Sequence, residues 1–205
     1  MVTRSEPDYL WDFCGGHLAV DFTNTVGSRG STPQEHFTTY GDILSWADAR
    51  GVLPPAEVRR LHAIADRNPT QAHEAVLVVR SLRESLYQVL SAAAAGRTPP
   101  RADLARTNTH VEMAYSRAHL TPRAGRLALS FDDAAPRSLT APVTTPVVHA
   151  AIDLLTSDAA ARIRTCADDT CAWLFVDATR SGTRRWCDMK VCGNRNKVRR
   201  FRESQ

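Results

Sequence analysis

Apolar residues recur at helical spacing through much of the chain. The clearest stripe lies in residues 70–95, where Val76, Val79, Leu82, Leu86, Val89 and Leu90 follow at steps of three and four and Gly96 closes the run. Residues 41–50 place Ile43, Leu44, Trp46 and Ala47 on one side, with Gly51 as the stop. Pro54 and Pro55 open a helix to about residue 66, and Pro99 and Pro100 open another to about residue 118. Residues 120–131 carry Pro-Arg-Ala-Gly between apolar stretches and predict a hairpin. Residues 27–36 and 132–146 are rich in turn formers and predict loops, and residues 147–155 predict the last helix of the body. Residues 13–26, with two glycines before a short apolar run, fit a strand or a helix start.

The pattern predicts a mainly α (α+β) protein: a helical domain over 1–158 with a small hairpin, and a small ribbon-like module over 159–205 ending in a short basic helix. So small a module cannot hold a core without a staple.

Charge separates the same two parts. From Arg180 to Arg202 there are nine basic residues and one acid, Asp188, so this stretch carries +8 and the rest of the chain −4 of the total +4. That asymmetry points to a polyanion as partner. Only Lys190 and Lys197 of the 26 basic residues are lysines, so the arginine bias itself carries no information; the clustering does. No stretch approaches the roughly 20 apolar residues of a membrane span, and residues 1–10 lack the apolar core of a secretory leader. A cytoplasmic protein is expected, with no membrane partner.

Four of the five cysteines form the pattern Cys166-x4-Cys171-x15-Cys187-x4-Cys192. Two thiolate pairs of this kind suit one tetrahedral zinc, with the intervening segment expected to fold as a ribbon. Four thiolates leave no open position on the metal, so the Zn²⁺ is structural and not catalytic. Trp173, Phe175 and Trp186 are placed to shield it, and Gly193 to let the backbone turn sharply towards sulfur. The complex carries a formal charge of −2, which Arg164, Arg184, Arg185 or Lys190 can balance.

Beyond Gly193, residues 194–204 predict a helix with Val198 and Phe201 packed back on the module. Arg195, Arg199 and Arg202 then share a face, with Lys197 and Arg200 beside it. Together with Arg184 and Arg185 these are the candidate nucleic-acid contacts; the competing reading is a solvated basic tail. With about six phosphate contacts, affinity should fall about a thousandfold between roughly 50 and 200 mM salt.

The run CADDTCAWLFVDATRSGTRRWCDMKVCGNRNKVRRFR resembles the CGNR zinc finger, matching in all four cysteines and in Trp186, Gly193, Asn194 and Arg195. GGHLAVDFTNTV resembles the opening of the ABATE domain, found in bacterial proteins regarded as stress-induced transcription regulators. The resemblance implies a zinc-stabilised module linked to DNA binding, transcription regulation and stress response, with no catalytic residues.

Two readings of Asn194 and Arg195 stay open: contacts to nucleic acid, or a helix cap and a counter-charge to sulfur. His17, Asp21, Asn24 and Thr25 either line an effector pocket or make local hydrogen bonds in turns and caps. Cys14 fits a buried small residue, with a redox role as the alternative. No histidine spacing suggests a second metal, and no nucleophile or phosphate-loop motif occurs, so the chain is not expected to be an enzyme. The expected activity is DNA binding by a transcription regulator, with homodimerisation or small-molecule sensing in the body. The alternative is an RNA-binding or protein-interaction module, its Trp and Phe residues offering stacking surfaces.

Overall fold

The computed structural model describes residues 11–131 and 138–204. Residues 1–10, bearing on the secretory reading, and 132–137, part of the second expected loop, lie outside the described residues. Helix α4 (Pro69–Ala94) is the spine of the body. Its predicted stripe is buried, and it packs against α1 (Leu18–Thr23), α2 (Tyr40–Ala49), α3 (Pro55–Arg67), α5 (Arg101–Tyr115) and α6 (Ala141–Leu155). Thr39 and Asp42 form a capping box at the start of α2, fixing its entry. No helix among the described residues is long and apolar enough to cross a membrane.

Three small antiparallel ladders complete the architecture of the described residues. Strands β1 (Val26–Gly27) and β2 (Gln34–Glu35) pair inside the segment expected to be a plain loop. Strands β3 (Ala118–Arg123) and β4 (Arg126–Phe131) form the predicted hairpin, closed with Arg123 opposite Arg126. Its turn residues Ala124 and Gly125 both lie at positive φ, 48° and 77°, the geometry that matches strand twist in a two-residue hairpin. Strand β5 (Ile163–Thr165) pairs with β6 (Leu174–Val176).

Helix α6 starts six residues before its predicted beginning. The prolines at 142 and 146 signalled a loop, but Pro142 lies in the first turn, where no N–H is needed, and Pro146 is accommodated within the helix. Val143, Val147, Ala151 and Leu154 keep the helical period through both prolines and are buried. Apolar burial of that stripe outweighs the one hydrogen bond that Pro146 cannot donate.

The cysteine-rich end is joined to the body by one core. Ile163 and Leu174 are fully buried in the same cluster as the residues of α1, α4 and α6. Asn24 grips Leu174 in both directions, donating to its carbonyl at 2.8 Å and accepting from its N–H at 3.0 Å. Val176 N–H donates to Gly15 O, Tyr87 OH to Ala172 O, and Trp173 Nε1 to Val26 O. Gly30 N–H donates to Thr170 O, and a side chain at position 30 would collide with the Asp169 carbonyl.

Candidate metal centre and basic face

Cys166 and Cys171 lie in the turn between β5 and β6, so the ribbon flanks the first cysteine pair. The expectation of a ribbon between the two pairs is thereby corrected: β6 is the only strand there among the described residues, and Ala178 to Trp186 run without strand pairing. Asp168 shapes the turn, its Oδ1 accepting from Thr170 N–H at 3.0 Å and from Thr170 Oγ1 at 2.7 Å. Of the second pair, Cys187 precedes and Cys192 lies within a π-helical turn, Met189–Gly193, capped by Asp188, which accepts from Lys190 and Val191 N–H. Gly193 is helical, at φ −62° and ψ −45°, and makes no special turn towards sulfur. What it supplies is space, because a Cβ there would meet the Met189 thioether.

All four sulfurs are buried, unbridged, and within 4.8 Å of one another. Cys187 Sγ lies 3.6 Å from both Cys171 Sγ and Cys192 Sγ. A tetrahedron of sulfurs about 2.3 Å from a zinc ion has edges of about 3.8 Å, so the cage fits the ion. Cys187 N–H points at Cys166 Sγ from 3.4 Å, and Phe175, Trp173 and Trp186 pack around the sulfurs. Without metal the four thiols cannot ionise together. Hydrogen bonds from Cys171 and Cys187 pull the Cys166 thiol down, while Cys171 is pushed up chiefly by Cys166, Cys187 chiefly by Cys14, and Cys192 chiefly by burial. A divalent cation makes four thiolates compatible, and its binding releases protons. The four cysteines form one structural zinc site. Cys14 is half-buried against this cluster, which accounts for it as a packing residue.

Helix α7 (Asn194–Glu203) leaves directly from the π turn. Its orientation is set by Asn196, which sequence reading missed. Asn196 is 6% exposed and its Nδ2 donates to Asp168 Oδ2 at 3.0 Å and to Cys192 O at 2.9 Å. The signal was a third polar residue directly after the last matched position of the finger motif. Replacing Asn196 with alanine leaves the buried Asp168 carboxylate short of a donor, at a cost of about 1–3 kcal/mol. We expect Asn196→Ala to keep one zinc per chain by elemental analysis while faster hydrogen exchange appears in α7. Unchanged exchange there would remove Asn196 from this role.

The candidate nucleic-acid residues divide into two groups. Arg184 turns inwards, against its reading as a nucleic-acid contact. Its guanidinium stacks 4.4 Å over Phe175 and donates to Trp186 O, Cys14 O and Cys187 O, tying these loop carbonyls together. Arg195 donates to Thr170 Oγ1 at 2.8 Å, and Arg199 to Asn196 Oδ1 with Asp169 3.2 Å away. Both are half-exposed clamps between α7 and the first turn. Arg185, lying over the Trp186 ring, and Lys197, Arg200 and Arg202 are exposed and make no ion pair among the described residues. Val198 and Phe201 do not pack on the module; they are 51% and 65% exposed. Asn196 takes the inward position, which turns the apolar pair to solvent. Asn194 is no N-cap, because its Nδ2 donates to Lys190 O.

The polar residues of the N-terminal segment serve the fold. His17 caps α1 by accepting from Ala19 N–H. Asp21 is buried, accepting from Gly15 N–H at 2.9 Å and from Arg50 Nε at 2.8 Å. Burial raises its carboxyl to about 6, more than Arg50 offsets. Asn24 binds β6, and Thr25 Oγ1 donates to Phe22 O. A cavity of about 560 Å³ in the body is lined by other residues, among them Leu53, Arg117, Phe131 and His149.

Two family models match the chain. Residues 16–158 match ABATE, described as "Putative stress-induced transcription regulator", and residues 162–205 match the CGNR zinc finger. A comparison with curated proteins found no match. The four sulfurs, the π turn and the helix it launches form the matched finger. With most of its length matched by the first model, the chain belongs to the ABATE family and ends in a CGNR zinc finger.

Proposed function

We propose that this chain is a non-catalytic transcription regulator that binds duplex DNA through the zinc-supported helix α7. One observation carries the reading: Lys197, Arg200 and Arg202 are exposed, without acidic partners among the described residues, on a helix anchored by Asn196. Arg185 adds a fourth exposed cation on the loop before the second cysteine pair. Cations presented at fixed geometry are what phosphate contact requires. RNA binding by base stacking has less support. Phe175 is fully buried, the Trp173 indole N–H is bound to Val26 O, and Arg185 lies over Trp186.

With four of the candidate cations free of ion pairs among the described residues, in place of about six contacts, the salt response should be shallower than the sequence suggested. Affinity for a duplex should fall about a hundredfold between roughly 50 and 200 mM salt. Replacing Lys197, Arg200 and Arg202 together by glutamate should abolish binding and leave zinc content unchanged. Fluorescence anisotropy with a labelled duplex, competed by single-stranded RNA, measures both. Binding that ignores salt and survives the triple substitution refutes the proposal, and stronger competition by RNA reassigns the partner.

A further inference from the structure

Helix α7 is amphipathic in the inverse sense. Its buried side is polar, built around Asn196, and its outward side carries Val198 and Phe201, 51% and 65% exposed. At about 100° per residue, Asn194, Val198 and Phe201 fall within about 60° of one another, opposite Asn196. Val191, in the π turn, is also half-exposed. Lys197 borders this face on one side and Arg202 on the other. A partner for it must be anionic at its edges and offer small apolar groups at its centre.

The geometry points to the major groove of A·T-containing DNA, with Val198 and Phe201 against thymine methyl groups and Asn194 against an adenine edge. This rests on the duplex-binding reading above and adds to it that α7 reads bases as well as phosphates. A ten-residue helix is about 15 Å long, and the major groove, about 12 Å wide, admits a helix. Thymine presents a C5-methyl there, and adenine an N7 acceptor beside an N6 donor. Asn194 Nδ2 gives one hydrogen to Lys190 O, which leaves its second N–H and its Oδ1 for that adenine pair. An anionic membrane surface would also attract the cations, but Asn194 sits within the apolar face, and the face is too small to anchor in lipid.

The test uses the zinc-loaded full chain and three labelled duplexes at one fixed salt concentration: alternating A·T, the same sequence with deoxyuridine for thymidine, and alternating G·C. Removing the methyl groups should weaken binding about fourfold for each one contacted, and the G·C duplex should bind more weakly still. The double variant Val198→Ala/Phe201→Ala alters only exposed side chains. It should keep its zinc and its thermal transition, and bind the thymidine and deoxyuridine duplexes equally. Lys197→Glu should weaken both duplexes by the same factor and preserve their ratio. Equal affinity of the unaltered protein for the two A·T duplexes overturns base reading while leaving phosphate binding intact. Absence of duplex binding overturns both. Self-association that the double variant abolishes, with no thymidine preference, assigns the face to a second copy of this chain and overturns the inference.

Discussion

Stripping zinc from the protein at neutral pH is expected to destabilise the whole chain and not the finger alone. Structural zinc contributes about 10–16 kcal/mol in isolated fingers, as much as the entire stability of an ordinary domain. In a tethered module that loss would stay local. Here Ile163 and Leu174 of the zinc ribbon lie in the body's own core, and Asn24, Gly15, Tyr87 and Val26 all hydrogen-bond to it. Losing the cage frees β6, exposes that part of the core and leaves buried Asn24 without partners. Circular dichroism should therefore show one melting transition in the zinc-loaded protein and a fall of more than about 10 °C after chelation, since a few kcal/mol moves a domain of this size that far. Cys171→Ser, with its sulfur buried in the cage, should reproduce the effect. A body transition that stays within about 2 °C of its original midpoint would show that the two parts fold independently.

The same contacts explain what could be seen in the sequence. The stripe of α4 and the cysteine spacing depend on residues near one another in the chain, and both were legible. The seam depends on pairs such as Asn24 with Leu174, 150 positions apart, and no local pattern encodes those. For Asn24 the sequence leaves an effector pocket and a local hydrogen bond open, and the stitch its amide makes to a distant strand is neither. Arginine raised a different difficulty. Arg184 and Arg200 look equivalent in a charge count, yet one lies over Phe175 closing a loop and the other faces solvent. Val198 and Phe201 misled because apolar residues three apart on a helix normally face a core. Here the inward direction was taken by Asn196, whose partner Asp168 lies 28 residues earlier. Polar pairing across the zinc turn outranked apolar burial in orienting the last helix.

Replacing Arg83 by methionine is expected to cost about 3 kcal/mol, the upper end for losing hydrogen bonds to charged groups, since its carboxylate partners keep some solvent. Arg83 interrupts the apolar stripe of α4 and is 2% exposed. Its guanidinium grips both Glu35 oxygens at 2.5 and 2.6 Å and donates from Nε to Glu84 at 2.8 Å. Arg29 pairs with Glu84 from the other side and lies 4.1 Å over Tyr87, whose hydroxyl reaches Ala172 in the finger. The network thus fixes the 27–35 segment against α4, where Gly30, and Val26 just before the segment, hold Thr170 and Trp173. Burial works against the Glu35 charge, but the Arg83 hydrogen bond and charge outweigh it, so its carboxyl lies below the usual range; Glu84 is lowered likewise, with Arg29 as the main opponent of burial. A carboxyl lower in the folded state stabilises above its unfolded value and loses that contribution as pH falls through the folded one. The unaltered protein should therefore lose stability on acidification below about pH 4.5. In Arg83→Met that acid limb should flatten, because Glu35 reverts towards its ordinary value, and the melting midpoint at pH 7 should fall by about 10 °C. Adding Glu35→Gln should restore part of the loss by removing the stranded carboxylate. A variant as stable as the original at pH 7, with its acid limb intact, would mean that the network carries neither the segment nor the seat of the finger.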